Sequence, residues 1–382
     1  MHIGKPVFAF SLLLGGMMLL SCGGEAKSLD SATQSEDILY VITNGTVTTY
    51  SVDAASLAVS AVEQPVTLIP VTASLIQFDP SPSDQFVYTV WLDGQNLQHL
   101  SVFQTDSSGV PQLPAIQVLN ADFLSQFNMH PSGRFAYMLE VTNTQDEYSA
   151  DIRLFHTQLD EGTLKEDPQI QGSYGPAYYW PAFLYGFSID GTKLYDTSMI
   201  ATDSIYREHP INRRTGTLGN DTEILSVDSG EEVVIGKLII AQYQNDTSVN
   251  LSYTDILPDT PNPQAMIHCT VTMLRFCVTA SNIQLDRSGH YLFFTDPATQ
   301  AVHVAAIDLP GSKIVDTNNK MPMTSQTPGF AFSPDEKIVY ALLAGDGSVH
   351  FYHFDEYTGS LSEGGAPLAV VAGSGICPAQ HN

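Results

Sequence analysis

Three groups of residues in this chain carry chemistry in their types and spacing. The densest polar group is His130-Pro131-Ser132-Gly133-Arg134, an imidazole, a hydroxyl and a guanidinium within five positions. The second is aromatic: Tyr178, Tyr179, Trp180 and Tyr185, with Phe183 between them. Rings concentrated in this way stack on sugars or hold a segment of another protein. The third is Arg275, between Cys269 and Cys277, a guanidinium suited to an anionic group. These aromatics and Arg275 are the candidate binding residues. No Gly-x-Ser-x-Gly elbow, phosphate-binding Gly-x4-Gly-Lys loop or His-Glu-x-x-His pair occurs. No catalytic residue is therefore assigned, and no cofactor or metal is called for, although loop carboxylates such as Asp203 and Asp246 are of the type calcium uses.

Charge narrows the partners. Lys plus Arg number 15 against 41 Asp plus Glu, a formal charge of −26, so the long-range field repels nucleic acid and anionic headgroups. A protein or carbohydrate ligand is the expected partner, and the chain is expected to be a monomer. Charged residues make up only 15% of the sequence and hydrophobic ones 43%, which excludes a disordered chain or a coiled coil.

The first 22 residues differ from all that follow. Lys5 precedes an apolar run from Val7 to Leu20 and then Ser21-Cys22, which reads as a signal peptide over residues 1–21. Leu19-Leu20-Ser21-Cys22 resembles the bacterial lipobox. The resemblance implies cleavage before Cys22, acylation of its thiol, and a cell-envelope protein held on the membrane (outer membrane or periplasmic side) by that anchor alone, because several acyl chains hold where one is marginal. Residues 22–35 read as the anchored cysteine and a flexible tether. In an oxidising compartment Cys269 and Cys277 are a possible disulfide, with Cys377 left over.

Stepping along the remainder, residues 36–382, one pattern repeats: a turn residue followed four positions later by an aromatic or branched residue. The pairs are Glu36/Tyr40, Asp84/Tyr88, Gly133/Tyr137, Gly191/Tyr195, Gly236/Ile240, Gly289/Phe293 and Glu336/Tyr340. Seven copies at a period near 50 mean a repeat architecture. Each unit has a hairpin signal such as Asn44-Gly45, an alternating strand such as Val47–Val52, and a second turn containing Gly109, Gly162, Gly216 or Gly359. Four short antiparallel strands per unit give an all-β fold, a seven-bladed β-propeller.

His130-Pro-Ser-Gly-Arg-Phe-Ala-Tyr137, Phe332-Ser-Pro-Asp-Glu-Lys-Ile-Val-Tyr340 and Ile38-Leu-Tyr-Val-Ile-Thr-Asn44 resemble the YVTN and lactonase family of seven-bladed propellers. That resemblance implies either a binding or scaffold module or a hydrolase of a sugar lactone, similar to 6-phosphogluconolactonase, with water activated beside Arg275. It also places the His130 turn on the face opposite the one used for function and so makes His130 a turn residue. Family members with lactonase activity have a His and an Arg just before an inner strand. None of the corresponding stretches here contains His, and only Met273–Cys277 contains Arg. Binding through the aromatic face of Tyr178–Tyr185 is the function expected. His99, His303, His350 and His353 fall on alternating strands and read as structural.

Overall fold

The computed structural model describes residues 36–95, 97–121, 124–144, 147–177, 182–188, 191–200, 203–228, 231–234, 239–244, 248–253, 266–269, 283–286, 290–296, 301–308, 313–322, 328–343, 347–371 and 374–380. All regular structure among them is β. The strands form one five-stranded sheet and six four-stranded sheets, each a run of antiparallel neighbours, and the architecture is a β-propeller. Sheet 2 runs Ser74–Pro80, Phe86–Leu92, Gln98–Gln104 and Gln117–Ala121; sheet 3 runs Leu124–Met129, Phe135–Thr144, Glu147–Thr157 and Leu164–Ala177. Sheet 4 runs Ala182–Phe187, Lys193–Ile200, Asp203–Pro210 and Thr222–Asp228, and sheet 7 runs Pro328–Phe332, Ile338–Leu343, Ser348–Asp355 and Ser360–Ala369. Sheets 5 and 6 begin at Glu231–Val234 and Ile283–Leu285.

Sheet 1 joins the two ends of the chain. Glu36–Thr43 pairs on one side with Thr46–Asp53 and on the other with the tail strand Gly375–Gln380, with Tyr40 opposite Cys377. The tail thus supplies the innermost strand that residues 36–43 lack. The first strands of sheets 7, 1, 2, 3 and 4 touch in that order. Apolar cores fill the gaps between consecutive sheets, as with Tyr88, Leu100 and Phe127 between sheets 2 and 3 and Tyr137, Ile152 and Leu194 between sheets 3 and 4.

The four-residue spacing of the repeat has a physical cause. Asp84, Gly133, Gly191 and Glu336 all have positive φ, between 57° and 68°, and end the tight turn between first and second strands. The aromatic four residues on is then buried and faces the next sheet. There its hydroxyl donates to the carbonyl of the second-turn glycine: Tyr40 to Gly109 at 2.7 Å, Tyr88 to Gly162 at 3.1 Å and Tyr137 to Gly216 at 2.5 Å. The residue two before each anchor covers that glycine, so a Cβ on Gly216 would lie 2.6 Å from Phe135 Cδ1. Gly216 also has φ +75°, which an L side chain rarely adopts.

Among the described residues, two departures from the rule are compensated by neighbouring residues. Phe293 has no hydroxyl, but Tyr291 two residues earlier donates to the Tyr357 carbonyl at 2.9 Å, in the turn of Gly359. In sheet 1 the turn position is Leu57, at φ 56°. Its side chain is accommodated because the covering residue from sheet 7 is Ile338 in place of an aromatic, and both are fully buried. At that same seam Asp37 and the Tyr340 hydroxyl form a buried polar pair, with no further partner for Asp37 Oδ2 or Tyr340 Oη among the described residues. Burial, and then the Asp335 charge, push Asp37 up to about 6.

Tyr137→Phe is expected to orphan the Gly216 carbonyl and cost about 1–3 kcal/mol in denaturant unfolding, and Tyr291→Phe a similar amount; no change in either midpoint refutes the lock. A carboxyl raised on folding stabilises fully below its unfolded pKa, and that contribution is lost as pH rises through the folded value. Stability at the seam should therefore fall between about pH 4 and pH 7, by roughly 3 kcal/mol. Thermal melts of Asp37→Asn across this range should show a correspondingly flatter profile.

Candidate functional site

The first strands of sheets 7, 1, 2, 3 and 4 lie side by side, and the composition of the first strands sets what they can bind. Gly375–Gln380, Ser74–Pro80, Leu124–Met129, Ala182–Phe187, Glu231–Val234, Ile283–Leu285 and Pro328–Phe332 contain no Lys, Arg or His. Polar side chains collect on the stretch from sheet 1 to sheet 3. Cys377, Asp79 and Asn128 stand opposite the anchors Tyr40, Tyr88 and Tyr137, so they occupy equivalent levels. Gln77 and Gln126 stand opposite Val90 and Leu139, two residues along.

The two glutamines bind each inner strand to the next. Gln77 Oε1 accepts the Phe127 N–H at 3.1 Å, and its Nε2 donates to the Phe127 carbonyl at 2.5 Å. Gln126 Oε1 accepts the Leu184 N–H at 2.5 Å. The outer strands repeat the device, since Gln117 bridges both backbone atoms of Leu164 and Gln171 accepts from Leu218. The second Nε2 hydrogen of Gln77 goes to Asp79 Oδ2 at 2.5 Å. Asp79 is half-buried, and loss of water around its carboxyl pushes it up to about 7 despite the Gln77 hydrogen bond. Burial raises the Cys377 thiol, the Asp79 charge adding to the effect, and Sγ lies 3.7 Å from the Phe78 carbonyl. Cys377 is a free, protonated thiol.

A second polar cluster lies between sheets 3 and 4. Asp196 occupies a core position that is Met138 in sheet 3 and Ala341 in sheet 7, and it is fully buried. Its Oδ2 accepts from the Tyr174 hydroxyl at 2.6 Å and contacts His209 Nε2, while Arg207 Nη1 lies 4.0 Å from Oδ1. Arg207 Nε also reaches Asp221 at 3.2 Å. His209 is itself buried, and the partners of this imidazole and carboxylate are protein groups, so the cluster ties the outer strand of sheet 3 to sheet 4. His130 is another such tie: Nδ1 meets Ser132 Oγ at 2.7 Å and Nε2 donates to the Gly191 carbonyl, in the next sheet's equivalent turn, at 2.8 Å. His99, His303 and His350 bond to Asn120, Asp316 and Glu363 on neighbouring fourth strands. On the turn face, a shallow cleft of about 170 Å3 between Pro82, Pro131 and Leu159 holds no carboxylate or cation. No cluster of three metal-ligating side chains occurs among the described residues.

Of the residues picked out in the sequence, Tyr178, Tyr179, Trp180, Arg275, Cys277, Cys22 and Asp246 lie outside the described residues. Tyr185 falls at the register shift of strand Ala182–Phe187, next to the Leu184 N–H that Gln126 holds. Cys269 ends strand Met266–Cys269. Gln126 and Phe127 are on the inner strand Leu124–Met129, and Tyr174 is on the outer strand Leu164–Ala177. Asp79, Gln77, Gln126 and Asn128 were not singled out. The available signal was a Gln four residues before the first turn residue in two successive copies, Gln77/Ser81 and Gln126/His130.

No family model matches this sequence, and no curated protein does. Among solved structures, the chain is similar to a candidate 6-phosphogluconolactonase from Bacteroides fragilis, with a TM-score of 0.58 at 14% identity over 91% of this chain and 99% of that one. It is similar to the periplasmic gluconolactonase PpgL of Pseudomonas aeruginosa, with a TM-score of 0.60 at 13% identity over 90% and 99%. A hypothetical selenium-binding protein from Sulfolobus tokodaii gives a TM-score of 0.53 at 14% identity over 86% and 90%. At such identities the likeness is one of fold, that of lactonase-like β-propellers.

Proposed function

We propose that this chain is a seven-bladed β-propeller, anchored through acylated Cys22 in the bacterial envelope, that binds an uncharged, hydroxyl-rich ligand at the face where the inner strands begin. The observation that carries this reading is the absence of Lys, Arg and His from every first strand. Phosphate recognition relies on guanidinium, ammonium or helix-terminal N–H groups, whereas amides and a carboxyl suit neutral hydroxyls. The formal charge of −26 works in the same direction. The stretch Tyr178, Tyr179, Trp180 and Tyr185 supplies the rings on which a sugar stacks, since it leads into the strand that Gln126 ties to sheet 3.

A second reading, hydrolysis of a neutral sugar lactone, is favoured by the fold likeness together with a carboxyl near neutrality on an inner strand, the range in which a general base works best. The phosphorylated lactone is the less suitable substrate for the reason just given.

Full-length protein purified from membranes should bind neutral sugars or sugar lactones at least tenfold tighter than their 6-phosphates, measured by calorimetry, and Trp180→Ala should weaken binding by about 1–3 kcal/mol. Tighter binding of the phosphorylated ligand would falsify the reading. Cys22→Ser should move the protein from the membrane to the soluble fraction, and an unacylated wild-type N-terminus by mass spectrometry removes the anchor.

A further inference from the structure

We propose that Asp79 Oδ1 is a proton-carrying atom presented to the ligand, so that a neutral hydroxyl-rich molecule binds at the inner strands of sheets 1 to 3 with uptake of a proton. The inference rests on the ligand class proposed above, and it adds the site and its chemistry.

The geometry fixes which oxygen carries the proton. Gln77 must place Oε1 on the Phe127 N–H and Nε2 on the Phe127 carbonyl, because the reverse orientation would set donor against donor and acceptor against acceptor. Its amide is therefore not free to flip, and its remaining N–H points at Asp79 Oδ2. An oxygen that accepts this N–H cannot conveniently bear a proton, so the acid form of Asp79 is protonated on Oδ1. Oδ1 makes no hydrogen bond among the described residues, and the residue is largely but not wholly buried. It can donate to a hydroxyl oxygen as the acid or accept from a hydroxyl hydrogen as the carboxylate.

Among the described residues, the groups facing this carboxyl give the carboxylate no positive partner. From sheet 1 comes the Cys377 thiol, held protonated, with Tyr40 behind it. From its own sheet comes Tyr88, whose hydroxyl is committed to Gly162. From sheet 3 comes Leu124–Met129, with Gln126 and Asn128 and no titratable side chain. A ligand that covers Oδ1 removes more water without adding a cation, and that favours the neutral acid. Binding should therefore take up a proton, and affinity should fall as pH rises through the neutral range.

Two measurements on the full-length protein decide this. The first needs no ligand: carbon-13 NMR of aspartate carboxyls, with the Asp79 signal identified by its loss in Asp79→Asn and the Asp37 signal by its loss in Asp37→Asn. A midpoint close to 7 for Asp79 is expected; one in the ordinary carboxylate range overturns the inference. The second is calorimetry with glucose and glucono-1,5-lactone as probes at pH 5.5 and 8.5, in buffers of different ionisation heat. The expected result is proton uptake and an affinity about tenfold weaker at the higher pH for the wild type, with little pH dependence for Asp79→Asn, which keeps the shape but not the proton. Probe binding with no proton uptake, or with unchanged pH dependence in Asp79→Asn, overturns the inference and leaves the ligand class standing. A midpoint near 7 with no binding of any neutral probe instead overturns the ligand class, and the ligand role of Asp79 with it.

Discussion

The hydrogen bond from an anchor tyrosine to a glycine carbonyl in the next sheet is the constraint on which the rest of this structure depends. It joins two sheets whose backbone hydrogen bonds are otherwise satisfied internally, and it lies in the apolar space between them, where an unpaired carbonyl would cost more than the bond itself contributes. It demands three things at once. The tyrosine must face the following sheet, which fixes strand register. The turn must end on a residue with positive φ. The accepting turn carries glycine where the side chain two residues before the tyrosine lies on it, an aromatic over Gly162 and Gly216 and Ile38 over Gly109. Where one requirement is dropped another changes with it, as Tyr291 replaces the hydroxyl missing from Phe293 and Ile338 makes room for Leu57. Paired substitutions of this kind mark a geometric requirement that a single residue preference would not produce.

Among the described residues, the side-chain links between sheets are unevenly placed. Sheets 2, 3 and 4 carry the tyrosine–glycine bond, glutamine bridges on the inner strands and glutamine bridges on the outer strands. The seam between sheets 7 and 1 has a leucine in place of the glycine, and its buried polar groups, Asp37 and the Tyr340 hydroxyl, have only each other. Closure there relies on the tail strand Gly375–Gln380 pairing along Glu36–Thr43, which spreads the cost of a weak polar seam over a backbone ladder. The ladder is therefore a backbone link between the residues that follow sheet 7 and the strand Glu36–Thr43.

Much of this fold was legible in the sequence because its turns use residues with few alternatives. Gly109, Gly162, Gly216 and Gly359 all have positive φ, and the turn residue four before each tyrosine could be read without knowing why four. The tail strand was not legible: Gly375-Ile-Cys-Pro-Ala-Gln380 has no alternation, and its place follows only from the vacancy beside Glu36–Thr43. His130 could be identified as a turn residue, but its bond to the Gly191 carbonyl, 61 residues away, could not. Glutamine hides for a related reason. On a half-buried strand it looks like surface, and only a partner 50 residues distant, Phe127 for Gln77, shows that it is a connector.

That distinction bears on where chemistry can occur. A polar side chain on an inner strand either spends its hydrogen bonds on the neighbouring sheet or keeps some for a ligand. Gln77 spends all of its own, and the Asp196 carboxylate is surrounded by Tyr174, His209 and Arg207; such groups hold the ring together. Asp79 receives a single N–H from a glutamine that cannot turn, and among the described residues it is left with one oxygen and no cation. An acid in that position is costly to ionise and gives no evident structural return, since an asparagine would accept the same N–H. The carboxyl at this position is explained by the proton it can exchange.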